Sequence, residues 1–405
     1  MNFLILFLAE LAMGLVLWGQ LKKGSLRPFP DIAIAYLMYL ELVLYLQVDG
    51  IINYEYLSSY SSFAFYKDYP VISGLLFLYS GFLSLTKTKS GEIIDYKSIL
   101  YGINIPQSAI FAFAILTYLL LAVYLLMANL GIIWKNNEYM LMSGVEAMNY
   151  HGPAVKLLCQ SMGPLSLAIS AFVFLLYFKG KQTYLIFVPA WVFRFLFILG
   201  GHSRIAALMT AIGMAIALIF GKRGLAMVLA ILSLLAFAQA LQGRSHTYHG
   251  LSQIPHVIPY AYEELTTNAD QLAGNSAEGI FVSAETLHYL PHFDTPYIWL
   301  SFSPLTSTLD NFAAVNDKSQ IGLNIYTPMS AIEESASFGV FFFILYFGTQ
   351  FYVSKLINAK IDKSPNALLI GLNVIILTGF LQQFAYPIRN VFRLYTYPLI
   401  VSYFL

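Results

Sequence analysis

Four arginines stand beside the ends of long apolar runs: Arg204, Arg244, Arg389 and Arg393. A guanidinium presents a planar fork that grips phosphate oxygens in pairs, and it keeps its charge at physiological pH. Arg389 and Arg393 are four residues apart, so one helix face carries both. Acids accompany them. Glu263, Glu264, Asp294, Asp310, Asp317, Glu333 and Glu334 all fall in the one long polar interval of the chain. A carboxylate beside an acceptor hydroxyl takes its proton, and cations stabilise a departing phosphate. Arginine and acid at one membrane face fit transfer of a group from a phosphate-bearing donor.

The histidines invite a different chemistry. His246 and His249 are three apart, and His288 and His292 are four apart. Imidazoles at i, i+4 can share a metal ion. Gly243 and Gly250 bracket the first pair, and Pro291 interrupts the second. Cys159 is the single cysteine, so no disulfide framework or cysteine metal site is available. We expect no metal and no cofactor. Glu10, Glu41 and Arg194 lie inside apolar runs, where an unpaired charge is costly. Glu41 and Arg194 each lie roughly 16 Å from the cytoplasmic end of their helices, and a structural Arg194–Glu41 pair is expected. Tyr54, Tyr56, Tyr60, Tyr66 and Tyr69 read as an interfacial belt or as a sugar-stacking surface.

These residues are positioned by an unusually apolar chain. Of 405 residues, 58% are hydrophobic and only 11% charged, against about 25% charged in soluble domains. That excludes a soluble enzyme and a disordered chain. A net charge of +1 offers no bulk attraction to nucleic acid. Eleven stretches are apolar enough to span a membrane, near 3–20, 31–48, 71–86, 108–133, 157–178, 183–201, 205–221, 225–242, 338–356, 367–385 and 391–405. One set of alternate loops carries thirteen Lys and Arg against four acids; the other carries eight against fifteen. The basic set is cytoplasmic by the positive-inside rule. The N-terminus is then outside and the C-terminus inside. The expected organisation is an all-α polytopic protein. Residues 1–242 form an N-terminal bundle of about eight helices, 243–337 a large external loop, and 338–405 the last helices. Within the loop, Asn275 and Glu278 read as a capping box opening a helix over 276–290. Thr295–Leu305 reads as an interfacial segment with Trp299 and Phe302 at headgroup level.

Two short segments carry a resemblance. GGHSRIAALMTAIG at 200–213 is similar, through Gly201, Ser203 and Arg204, to the Gly-Ser-Arg junction that opens a helix in the bacterial O-antigen polymerase (Wzy-type) family. YTPMSAIEESASFG at 326–339 resembles that family's segment after the large loop, through Thr327, Pro328, Glu334, Phe338 and Gly339. Two departures stand out: His202 interrupts the first motif, and the His-Asn pair of the related O-antigen ligases is missing before Glu333.

The resemblance implies a glycosyltransferase of the C type at the outer leaflet of a bacterial inner membrane. Its substrate would be an undecaprenyl-diphosphate-linked oligosaccharide, and its partners a chain-length regulator and a flippase. Arg204 and Arg244 would bind one diphosphate, and Arg389 or Arg393 the second. Glu334 would act as base or position the acceptor, with His292 and Asp310 behind it. A ligase, another lipid-linked glycosyl- or phosphotransferase, and a transporter or flippase for anionic lipid-linked sugars are the competing expectations.

Overall fold

In hydrocarbon a backbone must satisfy its own polar groups, which an α-helix does within one segment. The computed structural model describes residues 2–24, 26–51, 62–87, 94–127, 133–135, 145–243, 246–286, 292–305, 310, 312, 315 and 330–404, and these form helices and turns without a β-strand. In chain order the helices are α1 (Asn2–Lys22), α2 (Ala33–Val48), α3 (Ser62–Ser84), α4 (Tyr96–Gly102), α5 (Gln107–Met127), α6 (Val145–Phe178) and α7 (Val188–Gly200). They continue with α8 (Ile205–Ile219), α9 (Arg223–Gln242), α10 (Val257–Thr267), α11 (Ala269–Thr286), α12 (Thr295–Ser301) and α13 (Ala331–Ser337). The last are α14 (Val340–Lys363), α15 (Ala367–Gln382), α16 (Ile388–Val391) and α17 (Arg393–Ser402).

Among the described residues, six helices are long and apolar enough to cross a membrane: Phe3–Lys22, Pro28–Val48, Gln107–Leu126, Ser161–Phe178, Arg223–Gln242 and Val340–Lys363. Tyr69–Ser84, Val188–Gly200, Ile205–Ile219 and Ala367–Gln382 are shorter apolar helices. The helices group into two compact units, residues 1–95 with 273–405, and residues 96–272. The division differs from the linear partition 1–242, 243–337 and 338–405. Residues 243–272 join the unit that precedes them, and residues from 273 onward join the unit built from both chain ends.

In the first unit α1, α2 and α3 pack on one another, as do α14, α15 and α17. The segment 27–31 joins the two groups through polar contacts. Arg27 pairs with Asp362 and donates to the Asn358 carbonyl at 3.1 Å. Asn373 accepts from the Phe29 amide at 2.7 Å and donates to its carbonyl at 3.0 Å. Lys87 pairs with Asp31 at 2.7 Å, both side chains fully buried. Arg27 and Lys87 are therefore packed ion-pair members, beyond the loop charges that set orientation. Burial lowers the Lys87 ammonium, and the Asp31 contact partly offsets this.

Two readings of this unit are corrected. Asn275 does not open a helix, because α11 starts at Ala269 with Asp270 in its first turn. The preceding helix ends at Thr267 with Asn268 as its C-cap, and that break supplies the start. Residues 287–290, the end of the expected helix, lie outside the described residues. Tyr69 is a buried residue of α3 and no belt residue; Tyr54, Tyr56 and Tyr60 lie outside the described residues.

Gly279 on α11 lies so close to the Phe384 backbone that an added Cβ would sit 1.7 Å from its carbonyl oxygen. Gly279→Ala must move backbone, at about 1–3 kcal/mol or more. A lower thermal unfolding temperature of the purified chain is the expected result.

The second unit packs α8 against α9 and α6, and α9 against α10. Lipid offers no hydrophobic drive between helices, so close approach through small residues matters. Ala206, Ala207 and Gly213 are buried on α8, and Ala236, Ala238 and Ala240 on α9.

Candidate functional site

Glu334 is the most specifically held acid of the polar interval. Ser330 caps α13, accepting from the Glu333 amide at 3.3 Å, while Glu333 accepts from the Ser330 amide at 3.1 Å. This reciprocal pair fixes the first turn and turns Glu334 inward, where it is buried. Tyr297 of α12 donates its hydroxyl to Glu334 Oε1 at 2.5 Å. The Ile388 amide, at the start of α16, donates to Oε2 at 2.7 Å. The Ala331 amide donates to the Tyr386 carbonyl at 2.8 Å, which keeps α13 on this turn. Burial pushes the Glu334 carboxyl up to about 8, although both hydrogen bonds pull it down. Burial and then the Glu334 charge raise the Tyr297 phenol.

One residue beyond Ile388, Arg389 is buried, and both terminal nitrogens of its guanidinium are engaged. It donates to Asp310 Oδ1 at 2.7 Å, to the Leu305 carbonyl at 2.9 Å and to the Leu300 carbonyl, and lies 4.4 Å from the Phe312 ring centre. Burial would raise Asp310, but hydrogen bonds from Ser303 and Arg389 outweigh it and hold the carboxyl below its usual value. Asp310 is thus a clamp partner and a poor base. Arg389 likewise holds the segment 300–310 instead of standing free for phosphate. Arg393, one turn on, donates to the Leu305 carbonyl and is partly exposed, which makes it the better anion ligand of the two.

The other candidates are placed as follows. His292 is exposed, and Phe293 beside it stacks on Tyr297 at 5.2 Å. Trp299 is exposed, whereas Phe302, expected at headgroup level, is buried against Phe338, Phe342 and Phe392. Gly339 takes φ +93, a left-handed conformation that favours glycine, between α13 and α14. Asp317, His288, Thr327 and Pro328 lie outside the described residues, as does Arg244. Glu41 and Arg194, expected as a pair, belong to different units. Glu41 accepts from Tyr69 at 2.8 Å and Ser73 at 2.6 Å; Arg194 Nε donates to Ser166 at 3.0 Å.

In the second unit, Arg204 lies at the start of α8, partly exposed, 5.6 Å from the Phe237 ring centre. The turn before it gathers histidines that the sequence scatters. His202 adopts φ +53 and shares a hydrogen bond with Gln239 at 2.9 Å. Gln239 donates its amide to the Leu199 and Ala236 carbonyls, so its oxygen accepts from His202 Nδ1. His246 and His256 both stack on Tyr260, at 4.3 Å and 5.8 Å, while His249 meets His202 edge-on at 5.3 Å. Burial lowers His202, and burial followed by its histidine neighbours takes His249 down to about 4. Their only signal in the sequence is Gly200, Gly243 and Gly250. An added Cβ at Gly200 would lie 2.3 Å from the Gly250 carbonyl oxygen, and one at Gly243 2.2 Å from His202.

Comparison with family models, with curated proteins and with solved structures finds no match to this chain.

Proposed function

We propose that this chain polymerises oligosaccharide repeats carried on a polyprenyl diphosphate at the outer face of a bacterial inner membrane. The reading takes eleven spans, a C-type glycosyltransferase architecture, an outside N-terminus and a cytoplasmic C-terminus. The observation that carries it is Glu334: a buried carboxyl held by Tyr297 and the Ile388 amide, within the segment that resembles the polymerase motif.

In this reaction the acceptor hydroxyl attacks the anomeric carbon of the donor glycan. The new glycosidic C–O bond forms as the bond to the lipid diphosphate breaks. The diphosphate leaves with the electron pair, and the hydroxyl proton passes to the Glu334 carboxylate. Arg204 and Arg244 neutralise one diphosphate and Arg393 the second, with Arg389 keeping the 300–310 segment in place. A chain-length regulator and a flippase are the partners of such an enzyme.

Deleting the gene in its host tests the class. A surface glycan ladder that collapses to one repeat supports the polymerase. Accumulated lipid-linked polymer would indicate a ligase, and accumulated single repeats on the cytoplasmic side a flippase. At residue level, Arg204→Lys is expected to cut polymer about tenfold or more at normal protein level, since a point charge cannot replace the bidentate fork. Glycan ladders on gels beside quantitative blots read both quantities.

A further inference from the structure

Glu10 and Glu41 are two acids in the membrane-spanning part of the first unit. The connection between α1 and the Pro28–Val48 span is short, so the two run antiparallel as neighbours. One contact relates their levels: a Cβ built on Gly14 would lie 3.8 Å from the terminal methyl of Met38. Glu10 is four residues before Gly14, and Glu41 three after Met38. In antiparallel helices both steps go one turn in the same direction. The two carboxyls therefore lie within about one helical turn of the same level, and their charges repel each other.

Glu41 is fully buried. Its Oε1 takes the hydroxyls of Tyr69 and Ser73, while its Oε2 has no hydrogen-bond partner. Glu10 Oε1 is also buried without a partner. Tyr45, whose ring lies 6.5 Å from that of Tyr69, is the further titratable neighbour on α2. A buried oxygen left bare beside a second carboxyl lacks a positive centre, and intramembrane acids that keep their place mark ion or proton sites.

We propose that Glu10 and Glu41 together hold a monovalent cation, a proton or a sodium ion, between α1 and α2. A proton would neutralise one of the two carboxyls and lift their repulsion. Sodium would take the two bare oxygens as hard ligands. The site stands apart from the outer-face chemistry and does not depend on it.

The test uses the full chain in lipid nanodiscs, with dicyclohexylcarbodiimide, which adds to protonated carboxyls from the apolar phase. Peptide mass spectrometry reads modification at Glu10 and Glu41 between about pH 6 and pH 9, in sodium chloride and in choline chloride of matched ionic strength. A proton site gives modification that falls about tenfold per pH unit above its transition, equally in both salts. A sodium site gives modification suppressed by sodium alone, with an unfolding temperature that rises with sodium. In Glu10→Gln, which alters the half-buried partner, modification of Glu41 should fall about tenfold near pH 7 at a proton site, and sodium protection should vanish at a sodium site. Two results overturn the proposal: no modification of either residue together with no sodium effect on unfolding, or a Glu41 profile unchanged by Glu10→Gln.

Discussion

Glu334→Gln is expected to lower polymer formation by about 10²–10⁴-fold, the range for loss of a general base, while the chain accumulates at its normal level. The two halves of this prediction come from the same geometry. A glutamine keeps both contacts: its oxygen accepts from the Ile388 amide, and its amide donates to the Tyr297 oxygen. The packing of α13 against α12 and α16 therefore survives. What disappears is the ability to take a proton. A reconstituted assay with lipid-linked repeats reads the rate, and a blot reads the level. A near-normal rate would remove Glu334 from the chemistry and leave it as a packing residue.

The pH dependence follows with a definite sign. The Glu334 carboxyl is held at about 8 when folded, from an ordinary value of 4.5. A raised carboxyl stabilises the fold in its neutral form. That contribution is complete below about pH 4.5 and is lost as pH rises through about 8. Base catalysis runs the other way, because only the ionised carboxylate accepts a proton. The wild-type rate should climb through pH 8 as the fold loses this contribution to its stability. In Glu334→Gln the unfolding temperature should lose this component of its pH dependence. Rate and stability profiles over the same buffers check both signs.

Much of the fold was legible because its cause is local. Apolar runs must be helical in lipid, and among the described residues the eleven stretches are mainly helical, six of the helices being long and apolar enough to cross a membrane. Glu334 was legible as a candidate, and the Ser330–Glu333 cap that aims it is a plain Ser-x-x-Glu spacing. The spacing at Asn275 looks similar, but there a helix already under way overrides it. What the sequence hid is set by distant partners. Arg389 reads as a phosphate ligand until Asp310 and the Leu300 and Leu305 carbonyls are found on it. Tyr69 reads as a belt residue until it meets Glu41. The contacts of His202, His246, His249 and Tyr260 depend on glycines many residues apart along the chain, and no local period records such a meeting.

Arg389→Ala is expected to destabilise the chain by about 3–5 kcal/mol, the cost of leaving one member of a buried ion pair unpartnered. Arg389 and Arg393 differ in burial and in partners. Arg389 and Asp310 are only 2% and 7% exposed in side chain. Removing the guanidinium leaves the Asp310 carboxylate without its cation and frees the Leu300 carbonyl, while Leu305 keeps only Arg393. Arg393 is partly exposed and reaches only Leu305, so Arg393→Ala should change stability little and polymer formation strongly. Arg389→Ala with Asp310→Ala should recover part of the lost stability, because no charge is then left buried and alone. Thermal unfolding of the three variants beside their polymer yields reads this directly. Equal stability losses for Arg389→Ala and Arg393→Ala would mean that both arginines act as clamps, leaving no arginine among the described residues of the first unit for the second diphosphate other than Arg27, which is already buried on Asp362 and Asn358.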